Sequence, residues 1–151
     1  MAFYQFERTQ HIKAELDEVW EFISNPANLK QITPEYMRFD ITAKNLPEEM
    51  YQGMIIKYLV SPLLGIPTTW VTEITHLEEK KYFVDEQRVG PYKMWHHQHL
   101  LEPVNQGVEM KDIVSYRPPA GVLGAIANHF LIKHKLVEIF EHRTKVLETI
   151  F

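Results

Sequence analysis

The spacing of apolar residues changes period twice along the chain. Phe3 to Lys13 alternates loosely and carries Phe, Tyr, Thr and Ile, a pattern that predicts an opening strand. Leu16, Val19, Trp20 and Ile23 then fall at helical spacing, so a short amphipathic helix is expected, stopping at Ser24-Asn25-Pro26. Asn25 suits an N-cap and Pro26 suits the first helical position, where its missing N–H costs nothing. A second short helix is therefore expected from Pro26 to about Ile32, ending before Thr33-Pro34.

From Met37 the period becomes two. Met37 to Lys44, Gly53 to Val60, Pro67 to Leu77, Lys81 to Val89, Met94 to Pro103 and Val108 to Arg117 are each bounded by Pro, Gly, Asn or Glu-rich turns. Six successive strands with short connections predict an antiparallel meander, with the N-terminal strand as its seventh member. After Pro118-Pro119-Ala120-Gly121 the spacing turns helical again to the end of the chain. Val122, Ile126, Phe130, Val137, Phe140 and Leu147 form a broad apolar stripe, and Lys133, Lys135, Glu138, Glu141 and Lys145 fall off it. The expected class is α+β, with a curved seven-stranded antiparallel sheet wrapped around one long C-terminal helix and two short helices between strands 1 and 2. A sheet with one apolar face must be covered, and only the last helix is long enough to do it. Space is then expected between helix and sheet.

Composition narrows this picture. A chain of 151 residues with 45% hydrophobic and 24% charged residues is expected to fold as a single domain, 1–151. Sixteen basic against twenty acidic residues, with no dense Lys/Arg run, argue against a nucleic-acid partner. With no Cys, thiol catalysis, thiolate zinc sites and disulfides are excluded within this chain. Met1 leads into Phe3-Tyr4-Gln5-Phe6-Glu7-Arg8 without a basic or apolar leader, and no apolar run approaches membrane-spanning length, so a cytoplasmic protein without stable membrane insertion is expected.

The strands from Phe83 to Tyr116 carry the candidate chemistry. On their predicted inner faces Asp85, Gln87, Trp95, His97, His99, Asp112 and Tyr116 sit among apolar neighbours, whereas His96 faces the other way. Two histidines and one carboxylate, His97, His99 and Asp112, meet the donor set of zinc or iron; the alternative is a buried hydrogen-bond network, and no metal or other cofactor is expected. An imidazole beside a carboxylate in an apolar pocket also suits acid–base chemistry, which makes His97, His99, Asp112 and Tyr116 the catalytic candidates, with Tyr58 or Tyr116 donating to an oxyanion. Asp85 and Gln87 share a face with Phe83, leaving Glu86 and Arg88 as an ion pair in water; a bulge between Arg88 and Gly90 would reverse that assignment. Tyr58, Trp70, Thr72 and Trp95 are expected to wall the pocket, and His129 to look into it from the helix. Arg143, set among apolar turns, is expected to pair with a carboxylate near the helix end. The apolar loop Ser61–Pro67 reads as an entrance lid, a membrane-touching tip or a turn that covers the sheet's end.

The order of elements resembles the helix-grip fold of the START and birch-pollen-allergen superfamily, SRPBCC. Asp17-Glu18-Val19-Trp20-Glu21-Phe22-Ile23-Ser24-Asn25-Pro26, Trp70-Val71-Thr72-Glu73-Ile74, Gly90-Pro91-Tyr92 with Trp95, His97 and His99, Gly107 with Asp112 and Tyr116, then Pro119-Ala120-Gly121 and Arg143, are similar to the bacterial polyketide cyclase/dehydrase-like or ligand-binding branch. The resemblance implies an apolar cavity for a small hydrophobic molecule or lipid and, in some relatives, aldol cyclisation or dehydration. It also implies a possible sugar-nucleotide epimerase-like partner. A monomer or weak homodimer is expected. Two functions follow, a binding or carrier module and a cyclase or dehydratase.

Overall fold

A computed structural model of the protein describes residues 3–151; Met1 and Ala2, included in the expected domain, lie outside the described residues. Strand β1 (Tyr4–Ile12) alternates as its sequence does and turns Gln10 and Ile12 into the core. Helix α1 (Leu16–Ile23) buries Val19, Trp20 and Ile23, and its start is closed by a capping box in which the Glu15 N–H donates to Glu18 Oε2 at 3.2 Å. Asn25 caps the next turn by accepting from the Ala27 N–H at 3.0 Å, but that turn is a 3-10 helix of five residues, Pro26–Lys30, rather than an α-helix reaching Ile32.

Strands β2 (Asp40–Ile41), β3 (Ile55–Val60), β4 (Thr68–Glu78), β5 (Tyr82–Val89), β6 (Met94–Val104) and β7 (Gly107–Arg117) join β1 in one antiparallel sheet of order β1-β7-β6-β5-β4-β3-β2. The expected strand Met37–Lys44 shrinks to the two residues of β2. Glu35–Met37 forms a 3-10 turn, Arg38 takes a left-handed φ of 49°, and β2 is an edge with only β3 beside it, so nothing extends the ladder. At the β6–β7 turn the backbone is tight against β1: a Cβ on Gly107 would lie 2.1 Å from the Ile12 carbonyl oxygen, and its φ of 147° is one that side chains rarely adopt.

The C-terminal helix is not uniform. Helix α2 (Gly121–Ala127) passes through a π-helical turn, Asn128–Ile132, into α3 (Lys133–Ile150). Gly124, Asn128, Ile132, Leu136, Phe140, Arg143 and Leu147 form its buried line. The expected stripe therefore holds only for its C-terminal part. Val122, Leu123, Ile126 and Phe130 are exposed, because the buried line on the first two turns is taken by Gly124 and Asn128. At Gly124 a Cβ would meet the Pro119 carbonyl oxygen at 1.9 Å, so α2 lies directly on the Pro118-Pro119 turn. Asn128 is held by Tyr116, whose hydroxyl donates to its Oδ1 at 2.7 Å.

Candidate functional site

Between the sheet's concave face and α3 lies a cavity of about 160 Å³. Its walls are mostly apolar: Ile56, Val60, Ile74 and Phe83 from the sheet, Leu136, Ile139 and Phe140 from α3, and Phe22, Ile23, Leu29 and Ile32 from the short helices that close one end. A cavity of roughly 150 Å³ takes a benzene-sized molecule. Two polar groups interrupt the apolar lining.

One is a hydroxyl set on β3 and β4, where Tyr58 stands opposite Trp70 in register. Trp70 Nε1–H donates to Thr72 Oγ1 at 3.1 Å, and the hydroxyls of Tyr58 and Thr72 are bonded to each other at 3.1 Å. These three residues carry three N–H or O–H protons and use two, so one hydroxyl proton stays free to donate to a neighbour in the cavity. Burial, reinforced by the Asp85 charge, pushes the Tyr58 phenol up, so the group stays protonated.

The other is a charged cluster made by register. On β5, β6 and β7, Asp85 stands opposite His97, and His99 opposite Asp112. The bonds run diagonally: His97 Nε2 meets Asp112 Oδ1 at 2.9 Å, and His99 Nε2 meets Asp85 Oδ2 at 2.6 Å. His99 Nδ1 also lies 3.2 Å from Asp112 Oδ1. The His99 ring is sandwiched between Phe83 at 4.0 Å and His97 at 3.7 Å. Arg143 reaches in from α3, 3.6 Å from Asp112 Oδ1, and its Nε–H is buried without a partner.

Burial disfavours charge on all of these groups, and their mutual contacts decide which keep it. For Asp112 burial is outweighed by Arg143 and the two imidazoles, and its carboxyl lies well below the usual carboxylate range. Asp85 is likewise lowered against burial by His97, His99 and Arg143. His97 goes down, because burial and the neighbouring His99 charge outweigh its carboxylate contacts. His99 goes up despite burial, through its hydrogen bonds to Asp112 and Asp85. These directions favour ionised carboxylates and a neutral His97, and of the two imidazoles they favour the proton on His99.

The expected site residues separate cleanly by place. Tyr58, Trp70, Thr72, Asp85, Trp95, His97 and His99 line the cavity. Asp112 lies behind the two imidazoles. Gln87 is spent on the following turn, donating to the Tyr92 carbonyl at 2.7 Å and accepting from its N–H at 3.1 Å. Tyr116 is bonded to Asn128 and lies outside the cavity wall. His129 is a correction: it is exposed and packs edge-on against exposed Phe130, because the π turn leaves Asn128 and Ile132, not their neighbour, on the buried line. A bulge does occur at Arg88, where Val71 pairs with Val89 and Thr72 with Gln87, yet it lies beyond Asp85, which still faces inward. Arg143 pairs with a carboxylate as expected, but at the heart of the cluster. Tyr92, which lines the cavity and packs on Trp95 at 4.9 Å, was signalled only by Gly90-Pro91-Tyr92.

In the loop Ser61–Pro67, Leu64 and Ile66 are exposed, whereas Pro62 is buried and Leu63 packs on the core around Tyr116 and Phe140. Among the described residues no helix is long and apolar enough to cross a membrane.

Solved structures with this arrangement are numerous. A crystal structure of protein TTHA0849 from Thermus thermophilus superposes with a TM-score of 0.69 over 97% of this chain and 95% of that one, at 14% identity. The fold is helix-grip-like. A crystal structure of Ara h 8.0201 shares it, with a TM-score of 0.66, 13% identity and coverage of 98% and 99%. An NMR structure of a protein from Arthrobacter aurescens gives a TM-score of 0.70 at 14% identity, covering 96% and 86%. No protein-family model matches the chain, and no curated protein matches it. At these identities the likeness establishes the helix-grip arrangement, and function must be argued from the cavity itself.

Proposed function

We propose that the cavity binds a compact, largely apolar molecule bearing a carbonyl or hydroxyl group and moves a proton on it, as a cyclase or dehydratase does. The observation that carries this reading is the convergence of an imidazole pair and a spare hydroxyl proton on one small apolar space. His97 donates its Nε2–H to Asp112, which leaves the Nδ1 lone pair as the base and Asp112 to steady the imidazolium that forms. A proton leaves the carbon beside the carbonyl for His97 Nδ1, and the electron pair moves to the carbonyl oxygen. The free hydroxyl proton of the Tyr58–Thr72 pair donates to that oxygen. The resemblance of the sequence motifs to polyketide cyclase/dehydrase-like proteins is the reason for naming this reaction class first.

Acetophenone is a suitable probe, being little larger than benzene and carrying both a carbonyl and exchangeable methyl protons. In D₂O, the protein should accelerate exchange of those protons, and His97→Gln should lower the rate by about 10²–10⁴-fold, the usual worth of a positioned base. Exchange no faster than buffer, with acetophenone bound, would remove the enzymatic reading. That outcome would leave the carrier reading, in which Asp85, His97, His99 and Asp112 bond one another and the cavity only holds its occupant.

A further inference from the structure

The crossed bonding gives each imidazole of the cluster an outer and an inner nitrogen. The outer ones, His97 Nε2 and His99 Nδ1, converge on a single oxygen, Asp112 Oδ1, at 2.9 and 3.2 Å. The inner ones, His97 Nδ1 and His99 Nε2, both face Asp85 Oδ2, at 3.6 and 2.6 Å. One donor atom from each of Asp85, His97 and His99 falls within 4.8 Å of the others. We infer that Asp85, His97 and His99 form a binding site for a first-row divalent cation of the zinc or ferrous-iron type, oriented by Asp112.

Two imidazoles and one carboxylate with open positions suit such cations, whereas calcium and magnesium prefer all-oxygen sites. Around a tetrahedral zinc ion with ligands at 2.0–2.1 Å, donor atoms lie about 3.3 Å apart. The two inner contacts, 2.6 and 3.6 Å, straddle that value. Metal-bound histidines commonly give their remaining N–H to a carboxylate, and here one carboxylate serves both. All four residues stand on neighbouring strands, so side-chain rotation rather than chain movement accommodates the ion. Its open positions face the cavity that these three residues line. On the outer face of the same strands, Arg88 is bonded to both Glu73 and Glu86, and its guanidinium fills the place a cation would take.

Binding a dication displaces any proton shared by the two imidazoles: with both neutral, Asp85, Asp112 and Arg143 sum to one negative charge, and the ion would leave one positive charge for a hydroxide or a ligand oxygen to balance. This inference rests on the cavity reading for what meets the ion and changes one role in it: His97 becomes a ligand, and a hydroxide held by the ion would take the proton and become water.

Cobalt(II), titrated into chelator-stripped full-length protein, reports coordination through its visible bands. The expected result is one equivalent per chain with the intense bands of four- or five-coordination, displaced by zinc but not by magnesium or calcium. His99→Gln should abolish the bands, and Asp112→Asn should weaken binding by about 10–100-fold. Because these buried variants can unfold, histidine imidazole NMR of the unaltered protein is the second readout. Zinc should shift the signals of His97 and His99 stoichiometrically. No bound cobalt, or shifts confined to exposed histidines such as His129 and His134, would overturn the site. Acetophenone binding and exchange in EDTA separate the two proposals: both persist if the cavity works without an ion, and exchange alone is lost if the ion supplies the base.

Discussion

Strands β5 and β6 carry two ionic clusters of nearly the same composition on opposite faces. Outside, His96 Nδ1 meets Glu86 Oε1 at 2.7 Å, and Arg88 bridges Glu86 and Glu73, with the four side chains 28–48% exposed. Inside, Asp85, His97, His99, Asp112 and Arg143 make the same kinds of contact with side chains at most 15% exposed. The residue types scarcely differ; solvent does. Water screens the outer charges and replaces any lost partner, so the outer cluster is a solvated face. Inside, each charge depends on the others, and the arrangement persists only because register fixes Asp85 opposite His97 and His99 opposite Asp112.

The largest expected effect is removal of one inner cation. Arg143→Met leaves Asp112 and Asp85 with only the two imidazoles to compensate them and should destabilise the fold by about 3–5 kcal/mol in urea unfolding. Truncating the cavity wall is expected to come close behind: Phe140→Ala should cost about 3–5 kcal/mol less the relief from any ligand that fills the space, so added toluene should restore part of it.

A pH series should divide the clusters next. Asp85 and Asp112 are lowered on folding, so their contribution is complete above about pH 4 and is lost as pH falls through their folded values. His97 is lowered too, and its neutral form adds a loss that begins as pH falls below about 6.5. His99 is raised, so its contribution is complete below about pH 6.5 and disappears as pH rises through its folded value. Asp112→Asn should flatten the acid limb of stability against pH, whereas Glu86→Gln should leave it in place. The smallest effect is expected outside: Glu86→Gln or Arg88→Met should change stability by less than about 1 kcal/mol and lose even that in high salt.

Much of this contrast was legible in the sequence because a strand's period of two is rigid. Parity alone put His97 and His99 on one face and His96 on the other, and the order of strands and helices carried the helix-grip arrangement. What parity could not supply was depth. Asp112 shares the inner face, yet it stands behind the imidazoles because its register partner His99 lies between it and the space. Helical spacing failed at His129, Val122 and Phe130, since a π turn shifts the buried line and has no period of its own to detect. For Arg143 a carboxylate partner was legible, but not which one, because only the fold places Asp112 of the opposing strand beneath it.

The most direct test of the cavity's role is an NMR structure of the complex with acetophenone. Intermolecular contacts are expected from its ring to Phe83 and Phe140, with its carbonyl end beside Tyr58 and Thr72 and its methyl group within reach of His97. Contacts only to surface residues, or an interior that takes up no probe while the fold stays intact, would contradict that role.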